Sequence, residues 1–281
     1  MSTTSTITAS EVNKLRQITG AGMMDCKKAL TEANGDFDAA IDFLRKKGQK
    51  VAANRSERDA KEGLVIAKTV ADGKRGVVIV LNCETDFVAK NDEFGAVANA
   101  MADVALNKAP KSLDELKALP FDDTISISDK IIEQVGKIGE KIELSVYEQI
   151  EAPKVVAYNH PGNKLATIVG FNKADTPNLD TVSKDVAMQV AAMAPIALDK
   201  GDVDAKTLER EIEIGKEQAR QEGKPEEMLE KIAMGKLNKF YKESTLLNQE
   251  FVKDNKKTIS QYLAESDKEL TVTGFKRFSL S

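Results

Sequence analysis

The sequence is poor in the residues from which disulfide frameworks and metal clusters are usually built. It has two cysteines, Cys26 and Cys83, and a single histidine, His160. Two cysteines are too few for a disulfide framework, so we expect reduced thiols in the protein interior. One histidine excludes a His/Cys metal cluster. A site made of carboxylates alone stays open, but the sequence predicts no metal ligand and no cofactor-binding residue.

Long apolar runs and a surplus of basic charge are also missing. The longest apolar stretch, residues 186–198, is interrupted by Gln189 and Pro195 and is too short to span a bilayer. The Ser/Thr-rich start has neither the basic nor the apolar region of a signal peptide. With 41 basic and 45 acidic residues, the net charge is -4, which gives no general attraction to nucleic acid or anionic membrane. We expect a cytosolic protein that binds another protein, with no direct contact to nucleic acid or membrane.

The usual phosphate-binding loops are absent from the sequence. It contains neither GxxxxGK[ST] nor a GxGxxG that follows a strand. Residues 172–175, NKAD, match the NKxD pattern by which GTPases read guanine, but without a phosphate loop we interpret this match as coincidence. His160 has no cysteine or serine constellation nearby, and no paired-acid spacing is evident. An enzyme that uses carboxylates between two repeats is therefore disfavoured, and we predict a binding protein.

What the sequence does contain is a duplicated pattern. Two apolar strands, a short turn and an amphipathic helix occur twice, about ninety residues apart. The first copy comprises residues 64–70, 71–74, 77–81 and a helix after Asp92; the second comprises residues 155–158, 160–163, 165–171 and a helix around 186–194. A hairpin followed by a helix is the unit of an α+β layer, so the sequence predicts an α+β fold.

Helical periodicity dominates the N-terminus and a later charge-rich segment. Ser10 is a candidate N-cap for a helix with Val12, Leu15 and Ile18, and two more helices follow before residue 50, the third capped by Asp36. Residues 48–63 are interpreted as a linker or a frayed helix. Residues 204–243 predict a helical hairpin. Residues 128–138 predict a helix ended by Gly139, and residues 251–252 and 270–280 predict strands that rejoin the second sheet.

The segment 76–94 stands out because its strand stops abruptly. Thr85 and Asp86 favour a cap or turn, and the charged residues around Phe87 predict that its ring is presented to solvent. The alternative is a helix N-terminus held by a hydrophobic staple. The second copy has no aromatic residue at the corresponding positions, 173–178. This difference favours a function for Phe87.

Two long motifs resemble the signatures of the elongation factor Ts family. They are TDFVAKNDEF at residues 85–94, preceded by LNC, and LRQITGAGMMDCKKALTEANG at residues 15–35; similarity continues through Phe278. The resemblance implies a guanine-nucleotide exchange factor that binds elongation factor Tu in its GDP form and releases GDP by dislodging Mg²⁺, without covalent chemistry. The residues implied to dislodge Mg²⁺ are Thr85, Asp86, Phe87 and Val88. Further partner-binding positions implied are Arg16, Met23, Met24, Lys27, Ile138, Gly139, His160 and Val252.

The same resemblance implies roles for the predicted domains. These are a UBA-like (ubiquitin-associated-type) three-helix domain at 1–50, a linker at 51–62, core subdomains at 63–151 and at 152–202 with 244–281, and an inserted antiparallel coiled-coil hairpin at 203–243. The hairpin would serve a homodimer or partner contact, or be merely solvated. Adjacent Met23 and Met24 cannot both face one core, so at least one is expected as a soft surface contact; the alternative is that both fill gaps at the start of the helix. An interaction scaffold without exchange activity is the alternative function. Lys253 departs from the apolar residue often found there in the family.

Overall fold

The structure, a computed structural model, describes residues 7–280. These residues divide into two compact units. The first contains residues 7–66, 79–147 and 280, and the second contains residues 67–78 and 148–279. The first unit thus groups the predicted N-terminal domain with much of the predicted first core subdomain. Residues 1–6 and 281, with which the predicted terminal domains begin and end, lie outside the described part of the chain.

Between residues 7 and 151, the structure describes seven helices and one sheet. The helices are α1 (Ala9–Thr19), α2 (Met23–Glu32), α3 (Phe37–Arg55), α4 (Asp86–Ala89), α5 (Asp92–Lys108), α6 (Leu113–Ala118) and α7 (Ile127–Ile138). Strands β1 (Glu62–Thr69), β2 (Arg75–Cys83) and β3 (Glu143–Glu151) form the sheet in that order. Residues 77–81 of β2 are all buried, so the predicted apolar strand is covered on both faces.

Helices α1, α2 and α3 pack around a small apolar core, as their periodicity predicts. Leu15, Cys26 and Leu30 are fully buried at its centre. Asp36 caps α3, and its carboxylate accepts a hydrogen bond from the Ala39 N–H at 3.0 Å. The predicted three helices are therefore present, and the third begins after the predicted cap, Asp36.

Helix α1 differs from the prediction in its N-cap and in the exposure of Ile18. Thr8 is the N-cap, and Ser10 lies inside the helix, because Thr8 and Glu11 form a reciprocal capping box. Ile18 was expected on the buried stripe but is 56% exposed. Six residues after Val12, a helical position has rotated well away from the apolar face, so Ile18 points outward at the end of the helix.

Helix α3 also continues further than predicted. It runs to Arg55 and includes residues 51–55 of the predicted linker. Gly48, expected to open that linker, is buried inside the helix, and a Cβ placed on it would lie 2.8 Å from the Ile132 carbonyl oxygen of α7. The charged sequence remains helical because one small residue lets α7 pack closely against it.

The second unit contains the second copy of the repeat. Its helices are α8 (Leu179–Met193), α9 (Ala205–Gln221), α10 (Glu226–Ser244) and α11 (Ile259–Ser266), and its strands are β4 (Lys154–Asn159), β5 (Leu165–Phe171), β6 (Glu250–Phe251), β7 (Asp254–Thr258) and β8 (Val272–Ser279). Antiparallel β4, β5 and β8 form a sheet in that order, with α8 packed on it. The predicted duplication of a hairpin followed by a helix, and with it the α+β class, is confirmed. Within residues 7–280, none of the helices combines the length and apolar character needed to cross a bilayer.

Helices α9 and α10 form the predicted helical hairpin. Lys216 pairs with Glu230 and Arg220 with Glu226, so residue numbers rise along one helix as they fall along the other. The two helices are therefore antiparallel. The residues buried between them are Gly215 and Ala219 of α9 and Leu229, Ala233 and Leu237 of α10.

The C-terminal prediction is correct for one strand and wrong for the other. Strand β8 joins β5, as expected. Phe251 instead lies in β6, which pairs with β7 as a separate two-stranded sheet. Helix α11 was not predicted; Thr258 and Gln261 form a capping box that starts it. This capping-box signal is present in the sequence.

Candidate partner-binding site

Strand β2 leads into the one-turn helix α4, which carries Phe87. Thr85 is the extended N-cap of α4, and its hydroxyl accepts a hydrogen bond from the Val88 N–H at 3.4 Å. The Phe87 side chain is 83% exposed, more than any other large apolar side chain of the described residues. The predicted exposure of Phe87 is confirmed.

The exposure of Phe87 contrasts with its neighbours in the chain. Cys83 and Phe94 are at most 1% exposed, and Ala89 is also buried. Burying a phenylalanine side chain contributes about 1.5–3 kcal/mol to folding, and the free protein forgoes most of this at Phe87. Thr85 does cap a helix, as the staple alternative requires, but a ring this exposed cannot pin that helix. Stability of the fold does not explain Phe87.

The segment before Phe87 is held by the carboxylate of Glu140. One carboxylate oxygen accepts hydrogen bonds from the Glu84 N–H at 3.1 Å and the Thr85 N–H at 3.0 Å, and the other accepts from the Thr85 hydroxyl at 2.7 Å. The partners are 55 and 56 residues apart in sequence. Glu140 was not predicted, because no local pattern marks a residue whose partners are this distant.

The Glu84 side chain in turn bonds to the residue that follows Glu140. Its carboxylate accepts a hydrogen bond from the Lys141 N–H at 2.6 Å, and Nη1 of Arg55 lies 2.8 and 3.0 Å from its two oxygens. Partial burial raises the pKa of Glu84, but the bonds from Lys141 and Arg55 outweigh it, so the pKa lies below its ordinary value. We call these reciprocal contacts of Glu84 and Glu140 the brace.

The brace connects the predicted site residues around Phe87 to the predicted site residues Ile138 and Gly139. Ile138 ends α7 and is half-buried. Gly139 follows with a φ of 82°, and its N–H donates to the Val135 carbonyl. A Cβ on Gly139 would meet nothing within 4 Å, so the glycine is explained by its left-handed backbone and not by crowding. The helix end thus leads straight into Glu140, beside the segment that presents Phe87.

Asp86, at the start of α4, forms an ion pair with Lys90, which follows the helix. The Lys90 ammonium lies 2.7 Å from its carboxylate, at the i, i+4 spacing. Hydrogen bonding to Asp86 raises the pKa of Lys90. The pair is solvent-exposed and is therefore weakly stabilising. It leaves Asp86 next to Phe87 on the surface of the free protein.

The predicted residues of the N-terminal bundle are also on the surface. Arg16 and Lys27 are exposed, and Met23 and Met24 are 47% and 75% exposed. Both methionines therefore meet the expectation that at least one would be at the surface. Ile18, which sequence reasoning assigned to the core, belongs with these exposed apolar side chains.

The end of α1 lies next to the end of α7. A Cβ built on Gly20, the residue that ends α1, would approach Nζ of Lys137 to 2.6 Å. The same ammonium pairs with the Glu93 carboxylate at the start of α5, also at 2.6 Å. The α1–α2 turn, the end of α7 and the segment after Phe87 are therefore local neighbours within the first unit.

His160 lies in the second unit, at the β4–β5 turn. It is exposed, and its Nδ1 lies 2.9 Å from the Tyr158 hydroxyl. Its N–H donates to the Leu165 carbonyl and closes the turn. The structure thus places His160 at the predicted hairpin turn.

Val252, also in the second unit, is held at a short turn between β6 and β7. Its side chain is 49% exposed, and its N–H donates to Oε1 of the buried Gln189 at 2.9 Å. The following residue, Lys253, lies 2.6 Å from the carboxylate of buried Asp185, which also accepts a hydrogen bond from Tyr262 at 2.8 Å. Lys253 therefore has a structural partner.

The NKxD match is engaged in local structure. The Asn172 amide donates to the Glu269 carbonyl and accepts from the Thr271 N–H, both at 2.8 Å. The Lys173 ammonium pairs with Asp267 and Glu269. These bonds connect the end of β5 to the segment before β8, which accounts for the asparagine and lysine without a nucleotide.

No residue group that could hold a metal ion is found in the described range 7–280. Cys26 and Cys83 are both free and buried. In the first unit, the exposed apolar side chain of Phe87 is presented by a short hydrogen-bonded segment. Such an arrangement is suited to binding another protein.

Comparison with known proteins identifies the family. Residues 84–281 match the family model described as Elongation factor TS. A protein named Elongation factor Ts from Cytophaga hutchinsonii is 57% identical over 277 residues, which cover 99% of this chain and 100% of that protein. The chain belongs to the elongation factor Ts family. Relatives of the same name from Christiangramia forsetii and Chloroherpeton thalassium are 53% and 45% identical, over 98% and 95% of this chain and 98% and 94% of theirs.

Membership of the elongation factor Ts family confirms the resemblance inferred from residues 15–35 and 85–94. It assigns the chain to the translation elongation factors that act in protein biosynthesis. The matched region begins at Glu84, within the brace, and includes the segment that presents Phe87. The roles of individual side chains stay predictions.

Proposed function

We propose that this chain is a guanine-nucleotide exchange factor that binds the GDP form of elongation factor Tu and accelerates the release of GDP. The observation that carries the proposal is the 83% exposed Phe87, presented by a braced turn in a chain of this family. An exposed aromatic ring on a rigid support is the kind of anchor that dominates protein interfaces. The proposed activity makes and breaks no covalent bond.

In the proposed mechanism Phe87 inserts between structural elements of the partner near its nucleotide site. Thr85 and Val88 fix the turn, Asp86 assists the ring, and the movement dislodges the partner's Mg²⁺. That ion neutralises phosphate oxygens and is among the largest local charges in such a site. Loss of Mg²⁺ therefore weakens the hold on GDP. By linkage, GDP weakens the hold on this chain by the same factor.

We infer that the N-terminal helices anchor the complex. Arg16, Met23, Met24 and Lys27 would contact the nucleotide-binding domain of the partner, with α1, α2 and α3 acting as a UBA-like domain. Methionine side chains adapt to irregular apolar surfaces. Ile138 and Gly139, next to the brace, would extend the same contact.

The second unit would supply additional contacts. His160 and Val252 are exposed at turns held by hydrogen bonds, so both are available to the partner.

The hairpin of α9 and α10, proposed as a coiled coil, would bind either the partner or a second copy of this chain. Sedimentation of the protein alone and with the partner, before and after Gly215→Leu, separates these two uses.

The proposal is tested by timing the release of fluorescent GDP from elongation factor Tu. Phe87→Ala should slow catalysed release about tenfold or more, which corresponds to about 1.4 kcal/mol of lost interaction. Ile196→Ala, which truncates a 57% exposed side chain of the second unit, is the matched control and should behave like the parent. If Phe87→Ala released GDP at the parental rate, the mechanism in which Phe87 inserts into the partner would be refuted.

The alternative is a protein-interaction scaffold without exchange activity, which the exposed Met23 and Met24 of the bundle also support. A pull-down separates the two functions. Elongation factor Tu should be the dominant partner, and added GDP should weaken the complex. Binding that is indifferent to GDP, together with no acceleration of release, would favour the scaffold.

A further inference from the structure

We propose that Glu140 is a positioning residue for exchange, which holds the segment before Phe87 so that the ring is presented in its productive orientation. The inference rests on the exchange function proposed above. It concerns a residue whose importance lies in the bonds it makes within this chain, and not in contact with the partner.

The geometry supports a positioning role because the three bonds to Glu140 constrain the entry to α4. Two involve consecutive backbone N–H groups, of Glu84 and Thr85, and the third involves the Thr85 hydroxyl. Since the hydroxyl hydrogen is directed to Glu140, the Thr85 oxygen is free to accept from the Val88 N–H. The carboxylate therefore orients the cap of the turn that contains Phe87.

Helix α4 needs such support because it is only four residues long. A single helical turn is not stable by itself in water, since nucleation fixes several backbone angles for one hydrogen bond. The Asp86–Lys90 pair lies at the surface and contributes little. Hydrogen bonds to a carboxylate are stronger than those between neutral groups, so the bonds to Glu140 are well suited to set the orientation of α4.

Loss of the brace should act through the population of the competent conformation. If the turn samples several orientations, Phe87 can bind the partner only in the correct one. The apparent affinity is then the affinity of that orientation multiplied by the fraction of time the turn spends in it. Glu140→Ala should therefore slow GDP release about tenfold by making Phe87 less often available. Glu140→Gln should retain most of the activity, because its oxygen can accept both N–H bonds and its amide can donate to the Thr85 oxygen.

The test combines two measurements on the full chain. The first is hydrogen exchange of the Glu84 and Thr85 amides in the free protein, which should become faster in Glu140→Ala and stay close to the parent in Glu140→Gln. The second is fluorescent-GDP release from elongation factor Tu. Glu57→Ala, at an exposed glutamate on the segment after α3, is the matched control and should alter neither. Glu140→Asp, which keeps the charge but draws the oxygens back by one methylene, is the second variant if Glu140→Ala does not fold.

A double-mutant cycle with Phe87 distinguishes positioning from a general structural effect. Glu140→Ala should slow release in the parent but cause no further slowing once Phe87 is alanine. Equal slowing in both backgrounds, or unchanged amide exchange at Glu84 and Thr85, would overturn the positioning role. Parental GDP release by Phe87→Ala would instead overturn the exchange mechanism and the positioning role with it. The amide exchange data would then show separately whether the brace exists.

Discussion

Gly48 of α3 and Gly136 of α7 lie back to back where the two helices cross. A Cβ on Gly136 would lie 3.0 Å from the Gly48 Cα, and one on Gly48 would lie 2.8 Å from the Ile132 carbonyl oxygen. Both distances involve backbone atoms, which cannot move without separating the helices. This crossing fixes α3 against the helix whose end leads into Glu140.

Gly48→Ala should therefore lower the free energy of unfolding by about 1–2 kcal/mol, because overpacking outweighs the higher helix propensity of alanine. Gly235→Ala is the matched control: this glycine of α10 is exposed, and a Cβ there would meet nothing within 4 Å. It should raise the free energy of unfolding by about 0.5–1 kcal/mol. Urea denaturation followed by circular dichroism measures both, and the same sign for the two variants would contradict the crossing.

Gly139→Ala should be destabilising for a different reason. The space is open, but a φ of 82° is left-handed, and a Cβ in that region costs about 1–2 kcal/mol. Gly139→Asn should cost less, because asparagine tolerates left-handed backbone. Urea denaturation compares the two variants. Equal losses for alanine and asparagine would indicate that backbone conformation is not what selects glycine here.

The pKa of Glu84 predicts an acid-sensitive contribution to stability. This pKa is lower in the folded than in the unfolded chain, through the bonds from Lys141 and Arg55. The carboxylate therefore stabilises the fold above its unfolded pKa of about 4.3, and this stabilisation is lost as the pH falls through the lower folded value. Glu84→Gln should be less stable than the parent at pH 7. The difference should shrink below about pH 4. A difference independent of pH in urea titrations would be inconsistent with an ionised Glu84 in the brace.

The two thiols should be unreactive in the folded protein. Burial, followed by the nearby carboxylates of Glu140 and Glu62, raises the pKa of Cys83 to about 12, and burial chiefly raises the pKa of Cys26. Because the thiolate is the nucleophile, modification by a disulfide reagent at pH 8 should be at least about a hundredfold slower than in urea. Rapid native-state modification of either cysteine would show that its thiol is accessible.

Much of the secondary structure was predictable because its causes are local. The apolar strand at residues 77–81, the Asp36 cap and the glycine after Ile138 each depend on a few consecutive residues, and all three are observed. The errors arose where another signal was stronger. A capping box displaced Ser10 as the N-cap of α1, and α3, closely packed at Gly48, continues to Arg55, inside the predicted linker.

The exposure of Phe87 was predicted from its charged surroundings, and the second copy, which lacks an aromatic residue at that place, favoured a function for the ring. The sequence alone thus determined that this ring is presented, and it identified the family through two motifs. Only the tertiary structure revealed what fixes the ring's support. Glu140 reaches Glu84 and Thr85 across more than fifty residues, and Lys253 finds Asp185 in the same way. Periodicity and capping report contacts within a few residues, whereas the partner of a side chain such as Glu140 is set by the path of the folded backbone.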